Sequence, residues 1–462
     1  MWVLTLLTLT STAGATTLQV GPTRAYQTPS AAAAVAQSGD VIEIDAGTYT
    51  DDFVTWSVDN LTLRGVGGRA HLQATTQPGN GKAIWVIGGL DYVVENIEFS
   101  GCTVPDGNGA GIRHEGENLT ISSCSFHDNE DGILTGNGGD IVIEYSEFAH
   151  NGNGDVGYTH NMYIGHARSF TLRYSYSHHS NLGQLVKTRA YSNYILYNRL
   201  TGEGGSNYEL SFCDGGQAVV IGNLIEQADD TDNSTIVTYA EESTSNGNNN
   251  LWVVNNTIVN QRGAGGTFIR AAGGTAAAYN NFLVGPGTAL QGVTTEQGNL
   301  TAATVAAAGF VDAANYDYRL TAASPAINAG VDPGSGGGMS LVPDHEYVHP
   351  ASTQGRQAAG ALDVGAYEYG NVAALDGGAP TDGAAPGDGA AGVDAASGID
   401  GAAATDGAAA TDGGGTTADG GHDQAATDGC GCRPAGRGSL LGASVLLAGW
   451  LACRSRRRVR GR

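Results

Sequence analysis

Two cationic side chains, Lys187 and Arg189, stand two residues apart in the segment QLVKTRA. Lys82 is the only other lysine among the 462 residues. An amine can act as a general base, and a guanidinium can neutralise a carboxylate while the neighbouring proton is removed. We therefore interpret Lys187 and Arg189 as candidate catalytic residues for proton abstraction next to a carboxylate.

Four short segments carry these residues and further polar candidates: HNMYIG (160–165), QLVKTRA (184–190), NYELSF (207–212) and TIVTYAE (235–241). They alternate apolar with polar side chains and recur every 23 to 28 residues, which predicts stacked β-strands. Successive side chains of a strand take opposite faces. The inward face is then predicted to carry Met162, Ile164, Val186, Thr188, Tyr208, Leu210, Ile236, Thr238 and Ala240. The outward polar stripe is predicted to carry Tyr163, Lys187, Arg189, Glu209, Tyr239 and Glu241.

The stripe supports a β-elimination hypothesis for an acidic polysaccharide. Lys187 would be the base, Arg189 would neutralise the uronate carboxylate, and Tyr239 or Tyr163 would give a proton to the leaving oxygen. The predicted substrate-binding residues are Tyr163, Asp214 and Arg270.

Two other functions stay open. A glycoside hydrolase would use Glu209 and Glu241 as its acid and base, with Asp214 and Glu203 at nearby corners and the two cations adjusting their pKa values. A non-catalytic glycan-binding or structural domain would instead pair Lys187 and Arg189 with the two glutamates across turns.

Four histidines precede the lysine strand: His160, His166, His178 and His179. Their spacing matches no established metal-ligand pattern. We interpret them as corner hydrogen-bonding or core residues, and the sequence predicts neither a metal site nor a cofactor.

The composition limits the possible partners. Lys and Arg total 22 against 46 Asp and Glu, a net charge of -24, which disfavours nucleic acid because phosphates require clustered cations. The 72 glycines and 7% aromatic residues indicate a thin or repetitive core. We expect a monomer whose partner is a polysaccharide. Cys102 and Cys124 are interpreted either as neighbours on adjacent turns or as small buried residues.

Internal repeats run from Asn60 to about Asn299, for example NLTLRGVG, NLTISSCSF and LWVVNNTIV. Asn198, Asn223, Asn256 and Asn281 hold one place in four repeats, at steps of 25, 33 and 25. In a coil rising by about one strand spacing per turn, such residues form a ladder of bonded amides. Segments 227–233 and 242–250 are predicted to be loops that border the groove.

The ends of this region resemble a known family. VGPTRAY, a helix predicted over 31–37 and capped by Ser30, and GDVIEIDAGTY are similar to the start of pectate-lyase-like right-handed parallel β-helix proteins. SPAINAG (324–330) and DVGAYE (363–368) resemble the terminal cap of secreted bacterial β-helices. The predicted fold is therefore all-β, a right-handed parallel β-helix with a short N-terminal capping helix.

The segment KTRAYSNYILYNRL resembles the catalytic-lysine strand of polysaccharide lyase family 6, the alginate and dermatan lyases. This resemblance implies that Lys187 is the base. The family's downstream Arg-His pair falls on Cys213 and Asp214 here, and acidic calcium ligands are missing from 181–185. Arg189 would therefore replace both cations.

The two ends of the chain predict export. Residues 1–15 are typical of a signal peptide, the β-helix domain is predicted over 16–370, and 371–429 is an acidic Asp/Gly/Ala linker predicted to be disordered. Residues 430–462 combine a Cys-Gly-Cys motif, an apolar stretch over 439–452 predicted as a hydrophobic helix, and an arginine cluster. This order resembles the C-terminal sorting signal of myxobacterial surface proteins, which implies a cell-surface or outer-membrane location.

Overall fold

The computed structural model describes residues 14–154 and 158–371, and it is a right-handed parallel β-helix of about 11 turns. The predicted fold class is confirmed. The proposed signal peptide, the linker and the C-terminal segment lie outside the described residues, apart from the few residues at 14–15 and 371. Among the described residues, no helix has the length and apolar character needed to cross a bilayer. The predicted domain boundaries stay predictions.

Each turn contributes one strand to a ten-stranded parallel sheet, called here the groove sheet. Its strands are short because each ends at a corner of the coil. They are β3 (Val54–Trp56), β5 (Ala83–Ile87), β8 (Ala110–His114), β11 (Asp131–Thr135), β14 (Met162–Ile164), β17 (Lys187–Thr188), β20 (Leu210–Phe212), β23 (Thr235–Tyr239), β26 (Thr267–Ala271) and β29 (Thr288–Gln291).

The other strands of the coil form a 21-stranded sheet with two parallel ladders, which the long strands β2 and β4 join. The first ladder contains β1 (Thr17–Val20), β2 (Val41–Thr50), β4 (Thr62–Gln73), β6 (Leu90–Glu95), β9 (Glu117–Ser122), β12 (Asp140–Glu144), β15 (Ser169–Arg173), β18 (Ser192–Leu196), β21 (Gln217–Ile221), β24 (Asn250–Val254), β27 (Thr275–Tyr279) and β30 (Thr295–Gln297). The second adds β7 (Ile97–Ser100), β10 (Ser125–His127), β13 (Glu147–Ala149), β16 (Tyr176–His178), β19 (Arg199–Thr201), β22 (Leu224–Gln227), β25 (Thr257–Asn260), β28 (Phe282–Val284) and β31 (Leu300–Ala302).

The N-terminal helix α1 (Pro29–Ala33) is shorter than predicted and begins earlier. Thr28, rather than Ser30, is the N-cap, and its hydroxyl accepts from the Ala31 amide at 3.3 Å. Pro29 sets the start because its fixed φ suits the first helical position and its missing N–H costs nothing there. The prediction of Ser30 as the cap was therefore wrong by two residues.

The last part of the described chain, residues 305–371, packs along the side of the coil. It contains α2 (Val305–Ala308), β32 (Phe310–Asp312), a 3-10 turn (Ala313–Asn315), β33 (Asp317–Leu320), β34 (Ser335–Gly336), β35 (Met339–Ser340), β36 (His345–Val348) and β37 (Ser352–Gly355). The phenol of Tyr197 donates to Asp344 at 2.7 Å, and the Arg356 guanidinium is bonded to Glu368 inside the segment. The Tyr197–Asp344 bond, with a contact of 3.3 Å between Arg199 Nη1 and His349 Nδ1, fixes the segment against turns that lie about 150 residues earlier in the chain.

The core is a continuous column of side chains inside the coil. Its aromatic rings stack from turn to turn, with Phe99, Phe126 and Phe148 at centroid distances of 5.0 and 4.6 Å. Cys102 and Cys124 are buried free thiols, so the interpretation of small buried residues is the one the structure supports.

The predicted asparagine ladder is present at one corner. Asn198, Asn223, Asn256 and Asn281 are fully buried, and each side-chain amide donates to the next at 2.9 to 3.0 Å. Asn299 extends the ladder by one more bond of 2.9 Å. The same side chains also cap backbone amides and carbonyls, which otherwise would be buried without partners.

Replacing Asn256 by Ala should lower the free energy of unfolding by about 3 kcal/mol. The change removes the Asn256 oxygen that accepts from the Asn223 backbone and side-chain amides, and the Asn256 amide that donates to the Val220 carbonyl. Chemical denaturation would measure the loss. Asn299→Ala is the matched control, since this residue ends the ladder and is partly exposed, so its loss should be smaller; an equal loss would contradict the account.

Glu226, in β22, is almost fully buried, and burial raises its pKa to about 7. A carboxyl group with a raised folded pKa stabilises the fold below its unfolded pKa, and that stabilisation is lost as pH rises through the folded pKa. Stability should therefore fall between about pH 4.5 and pH 7. Thermal unfolding at both ends of this range should show a smaller fall for Glu226→Gln than for the wild type. Glu296→Gln, at an exposed position, should behave like the wild type, and an unchanged pH dependence in Glu226→Gln would refute the assignment.

Candidate functional site

The candidate site lies on the outer face of the groove sheet. Strand pairing places Tyr163 beside Lys187, Lys187 beside Ser211, and Thr238 beside both Ser211 and Arg270. The row one residue further along contains Ile164, Thr188, Phe212, Tyr239 and Ala271 and belongs to the core side. The predicted outward positions of Tyr163 and Lys187 agree with this register.

The predicted outward position of Tyr239 is wrong, and so is the inward position of Thr238. Tyr239 is fully buried, pairs with Phe212 and donates its hydroxyl to the Gly216 carbonyl at 2.5 Å. A register shift of one residue moves every side chain of a strand to the other face. The TIVTY segment gives no warning, because all five residues are buried.

Glu209 does not reach the groove either. It is fully buried and accepts from Ser206 at 3.1 Å and from Gln227 at 3.3 Å. Burial, followed by the charge of nearby Glu226, raises the pKa of Glu209 well above its usual value. Glu241 is held elsewhere, by Arg270 at 2.9 Å and by the Thr238 hydroxyl at 3.1 Å. The two glutamates of the hydrolase hypothesis thus have separate partners, and only Glu241 is partly exposed.

Arg189 is the centre of the polar network that the structure forms. Its Nε donates to the Tyr163 hydroxyl at 2.9 Å, its Nη1 to Asp214 Oδ2 at 2.7 Å, and its Nη2 to Glu242 Oε2 at 2.5 Å. Only 11% of its side chain is exposed. Bonds of this kind, to ionised partners in a partly buried setting, fix a guanidinium firmly.

Asp214 is shared by three donors. Arg189 and the Ser243 hydroxyl donate to it, and His166 Nε2 lies 3.1 Å from its Oδ2. Burial alone would raise the pKa of Asp214, but the hydrogen bonds from Ser243 and Arg189 and the nearby charges hold it below its usual value. Asp214 is therefore ionised at neutral pH.

These groups line a groove of about 500 Å³. Its walls are formed by Thr135, Asn137, Tyr163, Gly165, His166, Arg189, Asp214, Glu242, Ser243 and Ser245. Segment 242–245 follows β23 and forms one wall, as predicted for a loop bordering the groove. Arg270 does not line it.

Lys187 lies beneath the groove rather than in it. Its side chain is only 2% exposed, and its Nζ is 5.3 Å from the centre of the Tyr163 ring. Within residues 14–154 and 158–371, no carboxylate oxygen lies within 4 Å of this ammonium group. A cation over an aromatic face is attracted by the ring quadrupole, so Tyr163 both covers Lys187 and faces its charge.

The sequence patterns did not predict two of the groove residues as site residues. His166 was interpreted as structural, and Glu242 was treated only as the start of a loop. Both stand just beyond a strand, where side-chain alternation gives no direction. His160 is fully buried, and burial, with the charges of Lys187 and Arg189, holds its pKa well below the usual range. His160 is therefore a neutral buried residue, as interpreted.

Comparisons with known proteins were consistent with the fold. A family model described as "Right handed beta helix region" matches residues 47–179. The crystal structure of pectate lyase Pel9A shares 15% identity with a TM-score of 0.54, over 77% of this chain and 97% of that chain. An alginate lyase from Paenibacillus sp. str. FPU-7 shares 16% identity with a TM-score of 0.41, over 61% and 99% of the two chains.

The family 6 alginate lyase AlyGC shares 16% identity with a TM-score of 0.29, over 58% of this chain and 38% of that one. Scores this low carry no argument, so the family 6 resemblance stays a prediction. No curated protein sequence matches the chain. The comparisons thus support a pectate-lyase-like β-helix, which is a statement about fold alone.

Replacing Lys187 by Met should leave the free energy of unfolding unchanged or raise it. An almost buried ammonium without a close carboxylate loses hydration and gains little, whereas Met fills a similar volume. Denaturant unfolding would measure the difference, with Lys82→Met as the control at an exposed lysine that pairs with Glu115 at 2.6 Å. A large destabilisation by Lys187→Met would show that the lysine is retained for stability.

Proposed function

We propose that this domain is a polysaccharide lyase that cleaves an acidic glycan by β-elimination in the groove. The observation that carries the proposal is the hydrogen bonding of the Tyr163 hydroxyl. Its oxygen accepts from Arg189 Nε, and within the described residues no acceptor takes its proton. It stands in the groove wall with two cations next to it.

This arrangement suits one residue that moves a proton twice. Once its own proton has passed to solvent, the Tyr163 oxygen, next to Arg189 Nε and the Lys187 ammonium, takes the proton next to the uronate carboxylate. The electron pair forms a carbon–carbon double bond, and the bond from the neighbouring carbon to the glycosidic oxygen breaks. The phenol then returns the proton to that leaving oxygen, so that atoms and charge balance.

In this scheme Lys187 acts through its charge and not as the base. The earlier hypothesis of Lys187 as base stays a prediction, and it requires the ammonium group to emerge from beneath Tyr163. Arg189 also differs from its expected role, because Asp214 and Glu242 already occupy its two terminal nitrogens. A substrate carboxylate would take the place of Glu242, which belongs to the loop after β23.

The hydrolase hypothesis is less favoured by the groove carboxylates. A hydrolase needs one protonated acid with a raised pKa, whereas the pKa of Asp214 is lowered. Non-catalytic glycan binding remains a second candidate, and a specific observation favours it: each nitrogen of the Arg189 guanidinium already has a protein partner, and Lys187 is covered. The acidic glycan and the exported, cell-surface location belong to the proposal.

A product screen over alginate, pectate, glycosaminoglycans and neutral glycans should yield unsaturated, ultraviolet-absorbing ends from one polyuronate. Tyr163→Phe should lower the rate at least about 100-fold while the protein stays folded. Tyr369→Phe, at a half-exposed tyrosine, is the control and should keep the wild-type rate.

Other results would reject the lyase. Reducing ends without a chromophore would indicate hydrolysis, and retardation of a glycan in affinity electrophoresis without cleavage would indicate binding alone. Full activity in Tyr163→Phe would remove Tyr163 from the mechanism.

A further inference from the structure

Two adjacent histidines and a glutamate from the next turn meet at another corner of the coil. His178 ends β16, His179 follows it, and Glu203 follows β19. The two Nδ1 atoms lie 2.6 Å apart, and Glu203 Oε2 lies 3.9 Å from His179 Nδ1. One nitrogen or oxygen from each residue lies within 4.8 Å of the others.

In the metal-free protein the two Nδ1 atoms share one hydrogen bond, and the proton in it would leave when an ion binds between them. Glu147 accepts from His178 Nε2 at 3.1 Å, which places the proton on Nε2 and the lone pair on Nδ1. Oε1 of Glu203 is occupied by three donors, Tyr176 at 2.6 Å, Thr201 at 2.5 Å and Arg199 at 2.6 Å. Oε2 is the carboxylate oxygen that faces His179.

An independent feature beside the cluster also indicates a ligand. A cavity of about 370 Å³ is lined by His179 and by Asp128, His150, Ser180, Asn181, Gly204 and Gly205. Ser180 is fully buried, and within the described residues its hydroxyl has no hydrogen-bond partner. A buried hydroxyl without a partner is unfavourable, and a water molecule held on a metal ion would satisfy it.

We propose that His178, His179 and Glu203 bind one divalent transition-metal ion, with Zn²⁺ as the probe. Two imidazoles and one carboxylate form a ligand set suited to such ions, and an open position on the ion would face the cavity and Ser180. The two Nδ1 atoms would separate to about 3.3 Å to share a tetrahedral ion. Glu147 is the positioning residue that orients His178.

A second cluster, formed by His71, Glu98 and His127, also brings one possible ligand atom from each residue together. Its hydrogen bonds differ from those of the first cluster. His127 is bonded through both ring nitrogens, to Glu98 and to Asp128, and these bonds raise its pKa to about 8. A protonated imidazole has no lone pair to offer. This cluster therefore provides an internal control.

We expect the chelator-treated, tag-free full chain of the wild type to bind one more equivalent of Zn²⁺ than the same preparation of His179→Asn. Asn is chosen because His179 has φ of 45° and Asn tolerates this left-handed backbone. His179→Asn should weaken this site more than about 100-fold, and Glu147→Gln about 10-fold. Calorimetry would measure both, and a Co²⁺ visible spectrum would report the imidazole ligands.

His127→Asn and His345→Ala should bind Zn²⁺ like the wild type. Any Zn²⁺ bound by the Cys430-Gly431-Cys432 motif would also bind to His179→Asn, so the difference between the wild type and this variant does not include it. Equal Zn²⁺ binding by the wild type and a folded His179→Asn, or loss of binding in His127→Asn, would overturn the proposal. Zn²⁺ should also raise the unfolding temperature of the wild type and not that of His179→Asn.

Discussion

The structure depends on successive turns of the coil lying in register. Each strand pairs only with the equivalent strands one turn before and one turn after it, so a slip in one turn disturbs every turn stacked on it. The asparagine ladder pins this register, because Asn223 and Asn256 bond to one another and also to the backbone of neighbouring turns. A buried amide that lost its partner would be expensive. This corner of the coil is therefore compatible with only one alignment of neighbouring turns.

The same register determines where chemistry is possible. Side chains at equivalent positions lie about one strand spacing apart, roughly 4.8 Å, so residues more than 20 positions apart in sequence become neighbours. Tyr163, Lys187 and Arg189 meet in this way on the groove sheet, and His179 and Glu203 meet in the same way at a corner. Loops then complete each site, as Glu242 does for Arg189.

The fold was predictable because its signals repeat. Asn198, Asn223 and Asn256 recur with the period of the turns, and a period survives errors in any single strand. The site was predictable only in part. Tyr163, Lys187 and Arg189 lie close together as the alternation suggested, but Tyr239 was placed on the wrong face because both faces of its strand are covered. His166 and Glu242 lie in turns whose paths depend on tertiary contacts, such as those to Asp214 and Arg189, that no local pattern records.

The stability of the fold does not explain why a lysine stands at position 187. A cation removed from water is normally compensated by a carboxylate, yet the carboxylates nearest the groove, Asp214 and Glu242, are bonded to Arg189. Its visible compensation is the face of the Tyr163 ring. The ammonium beneath the ring and the guanidinium at the hydroxyl both place positive charge next to the Tyr163 side chain. Two cations next to one tyrosine are the arrangement that the proposed proton transfer uses, and packing of the groove sheet alone does not account for it.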